Sequence, residues 1–195
     1  MKIKRLCAYL IDTFIVFMIS LLIFALPFFS KYQENYINKT EELLETIKNS
    51  GSADISEEDN IRITYELNNS LLPFLIIYAG TTIFYFGILS YITNCQTIGK
   101  KILKIKVNSI KDKEIKPYLY LLREILITNF IFRILSIITI INCSPTKWNM
   151  YNNALSNAQA FVYALILGFM IFRDDERGLH DIICRTEVIE YSKKK

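Results

Sequence analysis

The chain has 195 residues, of which 52% are hydrophobic, and it carries a formal net charge of +4 at pH 7. The hydrophobic residues are concentrated in long runs, which is typical of a membrane protein and argues against an ordinary soluble domain. The single histidine excludes a multi-histidine metal site, and the four cysteines lack the close spacing of zinc sites. We therefore expect unpaired thiols, no bound metal and no cofactor.

The first apolar run, residues 6–29, follows a basic N-terminal segment and is long enough to cross a bilayer. Its length, its Leu-Pro-Phe-Phe end and an internal acidic residue distinguish it from a cleaved signal peptide, so we predict a retained helix. The acidic residue is Asp12, which lies seven residues after Arg5 on the same helix face. A carboxylate in a membrane helix is costly, so Asp12 needs a partner, water or a proton.

Residues 31–69 carry nine acidic and four basic side chains, which gives this segment a net charge of −5. Apolar residues at helical spacing predict one helix here, and Ser56 followed by Asp59 resembles the capping box that begins a second. The whole segment is predicted to be the outer loop. It is either a solvated loop or a cap that faces a substrate or a protein partner.

The second predicted membrane helix covers residues 71–93, which contain no charged side chain and have small residues on one face. The predicted cytoplasmic loop, 94–117, follows with seven lysines against two acidic residues, a net charge of +5. Gly99-Lys100 lacks the other residues of a phosphate-binding loop. The loop is therefore not interpreted as a nucleotide site.

Alternating apolar and basic residues at 102–107 predict a β-strand in this loop. A turn at 110–113 would place a partner strand near Ile115 beside it, as a small hairpin. The lysines either set only the orientation in the membrane or also contact anionic lipid head groups. The candidates for lipid contact are Lys100, Lys101, Lys104 and Lys106.

Residues 118–141 and 154–172 are predicted to form the third and fourth membrane helices. The third carries Arg133 well inside its apolar run, so this side chain must pair, contact water or extend toward the membrane surface. The connector before the fourth helix holds the single Trp148, which suits a membrane interface. Residues 173–195 form a polar tail with a strand pattern at 186–189.

The placement of lysine and arginine predicts the orientation of the chain. These residues accumulate at the N-terminus, in 94–117 and in 173–195, whereas 31–69 and 142–153 are acidic or nearly neutral. The positive-inside rule then places both termini in the cytoplasm. We predict an all-α membrane protein of one domain over 1–195: a four-transmembrane-helix bundle in the cell membrane, with a small cytoplasmic β-hairpin.

Three motifs resemble the signatures of the RDD family of small multi-pass membrane proteins, and they lie at 5–12, 97–107 and 177–181. The family is named after one arginine and two aspartates, which the motif match carries to Arg5, Asp12 and Asp181. The resemblance implies an undefined general role, with transport suggested and some members associated with sodium/proton exchange. The chain departs from the family pattern by one missing residue in the last motif, by its long acidic loop and by its fourth helix.

Depth along the helices predicts a charged cluster at the cytoplasmic ends of the first and third helices. Asp12 lies ~10 Å beyond Arg5, and Arg123 lies ~8–9 Å into its own helix. Asp12 and Arg123 are therefore at more similar depths in the membrane than Asp12 and Arg133. Glu124 points about 100° away from Arg123. His180 and Asp181 emerge on the same side. The predicted cluster therefore consists of Arg5, Asp12, Arg123, His180 and Asp181.

Three functions remain open for such a protein. The cluster is a structural ion-pair clasp, or Asp12 takes part in a cation/proton antiporter or transport component, or the acidic loop binds a protein partner as in an immunity-type protein. Four helices enclose only a narrow conduit, so transport favours a homo-oligomer. We expect no enzyme, because His180 lacks a matched nucleophile motif, and no nucleic-acid binding, because the lysines flank membrane helices.

Overall fold

A computed structural model describes residues 1–50, 56–110 and 115–191 of the chain. The predicted turn at 110–113 and the lysine-rich end of the tail fall largely outside these residues. Three helices are long and apolar enough to cross a membrane, and a bent pair of helices adds a fourth span if its two halves act together. The chain is therefore a mostly helical, multi-pass membrane protein.

The first helix, α1 (Lys2–Phe24), ends earlier than the predicted 29. Pro27 has no backbone N–H, and Leu26 before it is extended, so the helix stops and a 3-10 turn follows at Pro27–Phe29. The chain then enters α2 (Ser30–Ser50). The predicted helix 6–29 is therefore wrong at its end, because proline interrupts the hydrogen-bonding ladder.

The predicted outer loop is largely a pair of helices, α2 and α3 (Glu57–Ser70), packed against each other. Ser56 caps α3, because its hydroxyl accepts the backbone N–H of Asp59 at 3.1 Å. The predicted helix start at Ser56 is thus confirmed. Helix α3 also packs on α8 (Phe130–Asn142) and α9 (Pro145–Phe172), so this acidic segment is attached to the bundle.

The second span comprises α4 (Leu72–Thr82), a π-helix at Ile83–Leu89 and α5 (Ser90–Ile92). Helix α4 packs on α1, and the π-helix packs on α7 (Pro117–Ile127). An ideal Cβ added to Gly87 would lie 2.8 Å from the Leu121 side chain. The absence of a side chain at Gly87 therefore leaves room for the end of the Leu121 side chain from α7.

The predicted third span is divided into α7 (Pro117–Ile127) and α8 (Phe130–Asn142), whose axes differ by 64°. Asn129 between them has φ 49°, in the left-handed region that asparagine tolerates better than most residues. The predicted continuous helix 118–141 is therefore wrong. Its apolar pattern runs through the break, so periodicity did not mark the bend.

The last long helix, α9 (Pro145–Phe172), starts well before the predicted 154. Pro145 occupies its first position, where the missing N–H costs little. Trp148 is buried in the bundle, only 3% exposed, and meets Tyr65 edge-on with ring centroids 5.6 Å apart. The predicted connector is therefore mostly the first turns of α9, and Trp148 packs against α3.

The small sheet joins the middle of the chain to its tail. β1 (Ile105–Ser109) pairs antiparallel with β2 (Thr186–Glu190), with Val107 opposite Val188. The predicted hairpin is therefore wrong, and Ile115 is buried outside any strand. Strand β1 pairs with the tail strand because Val188 of that strand completes an apolar core with β1, Ala8 and Tyr120.

The N-terminal residues and the described part of the tail meet at this sheet. The amino group of Met1 lies 3.5 Å from the Glu176 carboxylate, and Lys4 Nζ lies 2.6 Å from the Glu190 carboxylate. Short helices α6 (Ile98–Ile102) and α10 (Leu179–Cys184) lie here too, against α1 and α7. We call this region the sheet end of the bundle.

Candidate functional site

Asp181 in α10 is the centre of a buried charged cluster at the sheet end. Its Oδ1 accepts hydrogen bonds from Arg123 Nε at 2.9 Å and from the Thr186 hydroxyl at 3.1 Å. Its Oδ2 accepts from the Arg5 guanidinium and from the Gly178 N–H. One carboxylate therefore connects α1, α7 and the tail.

The pKa of Asp181 reflects these partners. Burial alone would raise the pKa, but the guanidinium groups of Arg123 and Arg5 hold it well below its usual range. Asp181 is therefore a carboxylate at neutral pH. Breaking its pairs with the two arginines would leave an uncompensated buried charge.

Glu124 is the second acidic residue of the cluster, and it is as buried as its neighbour Arg123. Its Oε1 lies 2.5 Å from Arg123 Nη1 and 3.3 Å from Lys100 Nζ. The prediction that Glu124 points away from Arg123 is therefore wrong, because the two long side chains bend toward each other. Burial lowers the pKa of Lys100, which lies close to the Tyr120 ring.

The formal charges of the cluster balance. Three basic side chains, Arg5, Lys100 and Arg123, lie with three acidic side chains, Asp12, Glu124 and Asp181. Since each guanidinium or ammonium group contacts a carboxylate, the cluster can remain buried without a net charge.

Asp12 lies beside this network but makes different bonds. Its Oδ1 accepts from the Tyr85 hydroxyl and from the Gly99 N–H, both at 2.7 Å, and its Oδ2 accepts from the Thr97 hydroxyl. The predicted pair of Asp12 with Arg123 is therefore wrong. Arg123 Nε and Nη1 are directed to Asp181 and Glu124 instead.

The start of α6 explains why Asp12 is held in this way. Thr97 caps α6 and Gly99 presents its N–H to the carboxylate. A Cβ at Gly99 would lie closer than 3.0 Å to the Ala8 carbonyl oxygen. The backbone of α6 can therefore approach α1 only because this residue is glycine.

His180 is buried next to Asp181, with a side chain 1% exposed. Its Nε2 lies 3.4 Å from Asp181 Oδ2, and within the described part of the chain neither ring nitrogen has a hydrogen-bond partner. Burial lowers the pKa of His180 to about 3, so the imidazole is neutral at physiological pH. Its ring lies over Gly178, where a Cβ would come within 2.6 Å of it.

The lysines proposed for lipid contact divide into different environments. Lys100 is 12% exposed and paired with Glu124, an environment that does not favour its predicted contact with lipid head groups. Lys106 Nζ lies 5.4 Å from the centre of the Tyr191 ring. Lys101 and Lys104 are exposed, and among the described residues their ammonium groups form no ion pair.

Arg133 lies outside the cluster, on α8. Its Nη1 donates to the Thr82 hydroxyl at 2.7 Å, and its guanidinium lies 4.0 Å from the centre of the Tyr78 ring. Both partners belong to α4. Arg133 is therefore held by a hydroxyl and an aromatic face, and cation–π contact offsets part of its cost in an apolar bundle.

Sequence reasoning brought Arg5, Arg123, His180 and Asp181 to one place but missed other partners. Glu124 carried a usable signal, since a carboxylate in an apolar run needs a partner. The hydroxyl of Tyr85 carried no such signal in the sequence, because aromatic residues are common in membrane helices. The four cysteines, all of them described, are unpaired.

Comparison with known proteins gives one match. The model of the RDD family matches residues 3–185, which include every residue of the charged cluster. No curated protein and no solved structure matches the chain.

Proposed function

The chain belongs to the RDD family, and from this premise we propose that it is a multi-pass protein of the cell membrane with both termini in the cytoplasm. The basic segments around the sheet end support this orientation by the positive-inside rule. The contacts of Met1 with Glu176 and of Lys4 with Glu190 support a common side for the two termini. If α7 and α8 count as one span, the chain has four spans, and an even number of spans leaves both termini on the same side of the membrane.

The charged cluster acts as a structural ion-pair clasp that closes the sheet end. One observation carries this role: the Asp181 carboxylate accepts hydrogen bonds from both Arg5 and Arg123. Because these three residues belong to α10, α1 and α7, their ion pairs fasten the tail and two membrane helices together. Breaking a buried pair of this kind costs about 3–5 kcal/mol.

The proposed role is not catalytic. The charged side chains other than Asp12 are paired with one another, and Asp12 is bonded to neutral donors. In the described residues His180 has no hydrogen bond to a hydroxyl or thiol. A nucleophile paired with a base would require such a contact.

The clasp is tested by Asp181→Asn in purified protein. We expect a lower yield of monodisperse protein and a lower midpoint of thermal unfolding, since the two arginines lose their shared anion. Asp174→Asn is the matched control, because Asp174 is an exposed aspartate of the same tail. An Asp181→Asn protein that unfolds at the wild-type temperature would contradict the clasp.

A second candidate function is cation/proton exchange at Asp12. The observation that favours it is the absence of a basic hydrogen-bond partner: within the described residues, Asp12 is bonded only to Tyr85, Thr97 and Gly99. Buried carboxylates of membrane helices often serve as proton-relay groups. The adjacent π-helix supports this candidate, because π-helical segments are frequent at functional sites.

This candidate is tested in proteoliposomes loaded with a pH-sensitive dye, under imposed sodium or potassium gradients. Exchange at Asp12 predicts cation-driven proton movement in the wild type and its loss in a folded Asp12→Asn variant. Equal proton movement in the folded variant and the wild type would rule the candidate out. Exchange through so small a bundle would use a homo-oligomer, which cross-linking in the same vesicles would detect.

A further inference from the structure

A cavity of about 190 Å³ lies between α1 and α9, beside the charged cluster. Its walls are mostly apolar. The lining residues of the two helices are Leu6, Tyr9, Leu10, Tyr163, Ile166, Leu167 and Met170. Helix α1 packs mainly on α4 and α6, whereas α9 packs mainly on α3 and α8. The cavity thus occupies a gap between two helices that are supported by different neighbours.

The outer side of the cavity is formed by exposed apolar side chains. Leu6 is 45% exposed, Leu10 is 59% exposed and Leu167 is 40% exposed. Both helices are long and apolar enough to span a membrane, so this side faces the hydrocarbon of the bilayer. An apolar chain can therefore enter the gap from the lipid.

The inner side of the cavity carries an unsatisfied polar group, the imidazole of His180. In the described residues both of its nitrogens lack a hydrogen-bond partner, although the ring is almost fully buried. Asp181 Oδ2, at 3.4 Å from Nε2, is not placed to accept a hydrogen bond. A buried polar group without a partner is costly, so the ring is suited to a partner that the described residues do not supply.

The charges around the cavity restrict the chemistry of that partner. Arg5 and Arg123 are bound to Asp181, and Lys100 is bound to Glu124. A charged head group would add an unbalanced charge to a cluster that is already neutral. A neutral imidazole has one donor nitrogen and one acceptor nitrogen, and a hydroxyl can satisfy either, because it both donates and accepts.

We propose that this cavity binds a single-chain amphiphile with an uncharged hydroxyl head, which hydrogen-bonds to His180 while its chain leaves between α1 and α9. An apolar cavity of roughly 150 Å³ holds one benzene molecule. The space here therefore admits a small head and the first carbons of a chain, and it excludes a phospholipid head group. The proposal does not require that the clasp or exchange at Asp12 be correct, although Arg5, Asp12 and Arg123 also line the cavity.

The test uses the full chain in liposomes and a long-chain alcohol that carries a diazirine close to its hydroxyl. After irradiation, labelled peptides are mapped by mass spectrometry. We expect saturable labelling of the α1 and α9 residues that line the cavity, with competition by unlabelled dodecanol. Leu167→Trp fills the mouth and should lower this labelling about tenfold. Phe161→Trp is the control, because Phe161 is an exposed residue of α9 outside the cavity lining.

A second comparison tests the hydrogen bond to His180. His180→Phe should weaken binding of the alcohol roughly three- to tenfold, the effect of one hydrogen bond, without changing labelling by the matching diazirine alkane. Should His180→Phe fail to fold, competition on the wild type decides: an alkane that competes as well as dodecanol overturns the proposal. Unsaturable labelling spread over the exposed residues of α4 and α8 overturns it as well.

Discussion

Arg5 and Asp181 form a buried ion pair although they are 176 positions apart in the sequence. Arg123 binds the other oxygen of the same carboxylate. The first helix, α7 and the tail therefore meet on one side chain. The stability of the sheet end should therefore be sensitive to the loss of a single charge. The geometry also predicts which substitution lowers stability most.

Loss of Arg123 should be more damaging than loss of Arg5. Arg123 is bonded to two carboxylates and its side chain is 2% exposed, whereas Arg5 is bonded to one carboxylate and its side chain is 8% exposed. We expect Arg123→Gln to lower the thermal midpoint most and Arg5→Gln to lower it less, as measured by fluorescence-detected size exclusion after heating. Arg62→Gln is the control, because its exposed pair with Asp59 contributes about 1 kcal/mol or less. The reverse order of the two cluster variants would contradict the geometry.

Gly99→Ala should destabilise the protein through overpacking. The new Cβ would meet the Ala8 carbonyl oxygen, which is backbone and cannot move aside without displacing α1. We expect a loss of about 1–3 kcal/mol, seen as a lower thermal midpoint.

Gly80→Ala is the matched control for this substitution, because a Cβ at Gly80 has no neighbour within 4 Å. Alanine is favoured over glycine within a helix, so this variant should be as stable as the wild type or slightly more so. Equal destabilisation by both variants would show that the close approach of α6 to α1 is not what matters.

The stability of the sheet end should fall on mild acidification because of His180. Its pKa is about 3 in the folded protein against 6.5 ordinarily, so the unfolded state takes up a proton first. The contribution of His180 to folding stability is fully present above pH 6.5 and is lost as the pH falls toward about 3. The pKa of Asp181 is also depressed, so its contribution is lost only below the ordinary value of 3.8. As the pH falls, the loss of stability due to His180 therefore begins before the loss due to Asp181.

Thermal midpoints measured at about pH 7.5 and about pH 5 test this assignment, since Asp181 stays ionised at both values. The wild type should lose stability between the two, and His180→Gln should lose less. A His180→Gln variant with the pH dependence of the wild type would assign the effect to other groups.

The lysines of the middle segment should separate into two functional classes. Lys101→Gln with Lys104→Gln should weaken association with anionic lipid, by about 1 kcal/mol for each lysine, because both ammonium groups are exposed. Lys100→Gln should instead lower thermal stability, because it leaves Glu124 with one basic partner fewer. Stabilisation of the detergent-solubilised protein by added phosphatidylglycerol measures the first effect. A Lys100→Gln variant that loses lipid response but keeps its stability would contradict this division.

Much of the architecture could be predicted from residue patterns alone. The apolar runs identified the membrane spans, and Ser56 identified the start of α3, because helix length and capping depend on neighbouring residues. The charged residues in apolar surroundings identified Arg5, Asp12, Arg123 and Asp181 as residues that need partners, since a buried charge is costly wherever the chain places it. These inferences require no knowledge of which segments are in contact.

The pairings themselves were decided by tertiary structure. Depth along a helix matched Asp12 with Arg123, but the approach of α6 at Gly99 gives Asp12 three neutral donors and leaves Arg123 to Asp181. In the same way β1 pairs with β2 from the tail, because that strand completes a buried apolar face. Spans and charges are local properties of the sequence, whereas partners depend on the relative positions of helices and on a glycine that allows two backbones to come close.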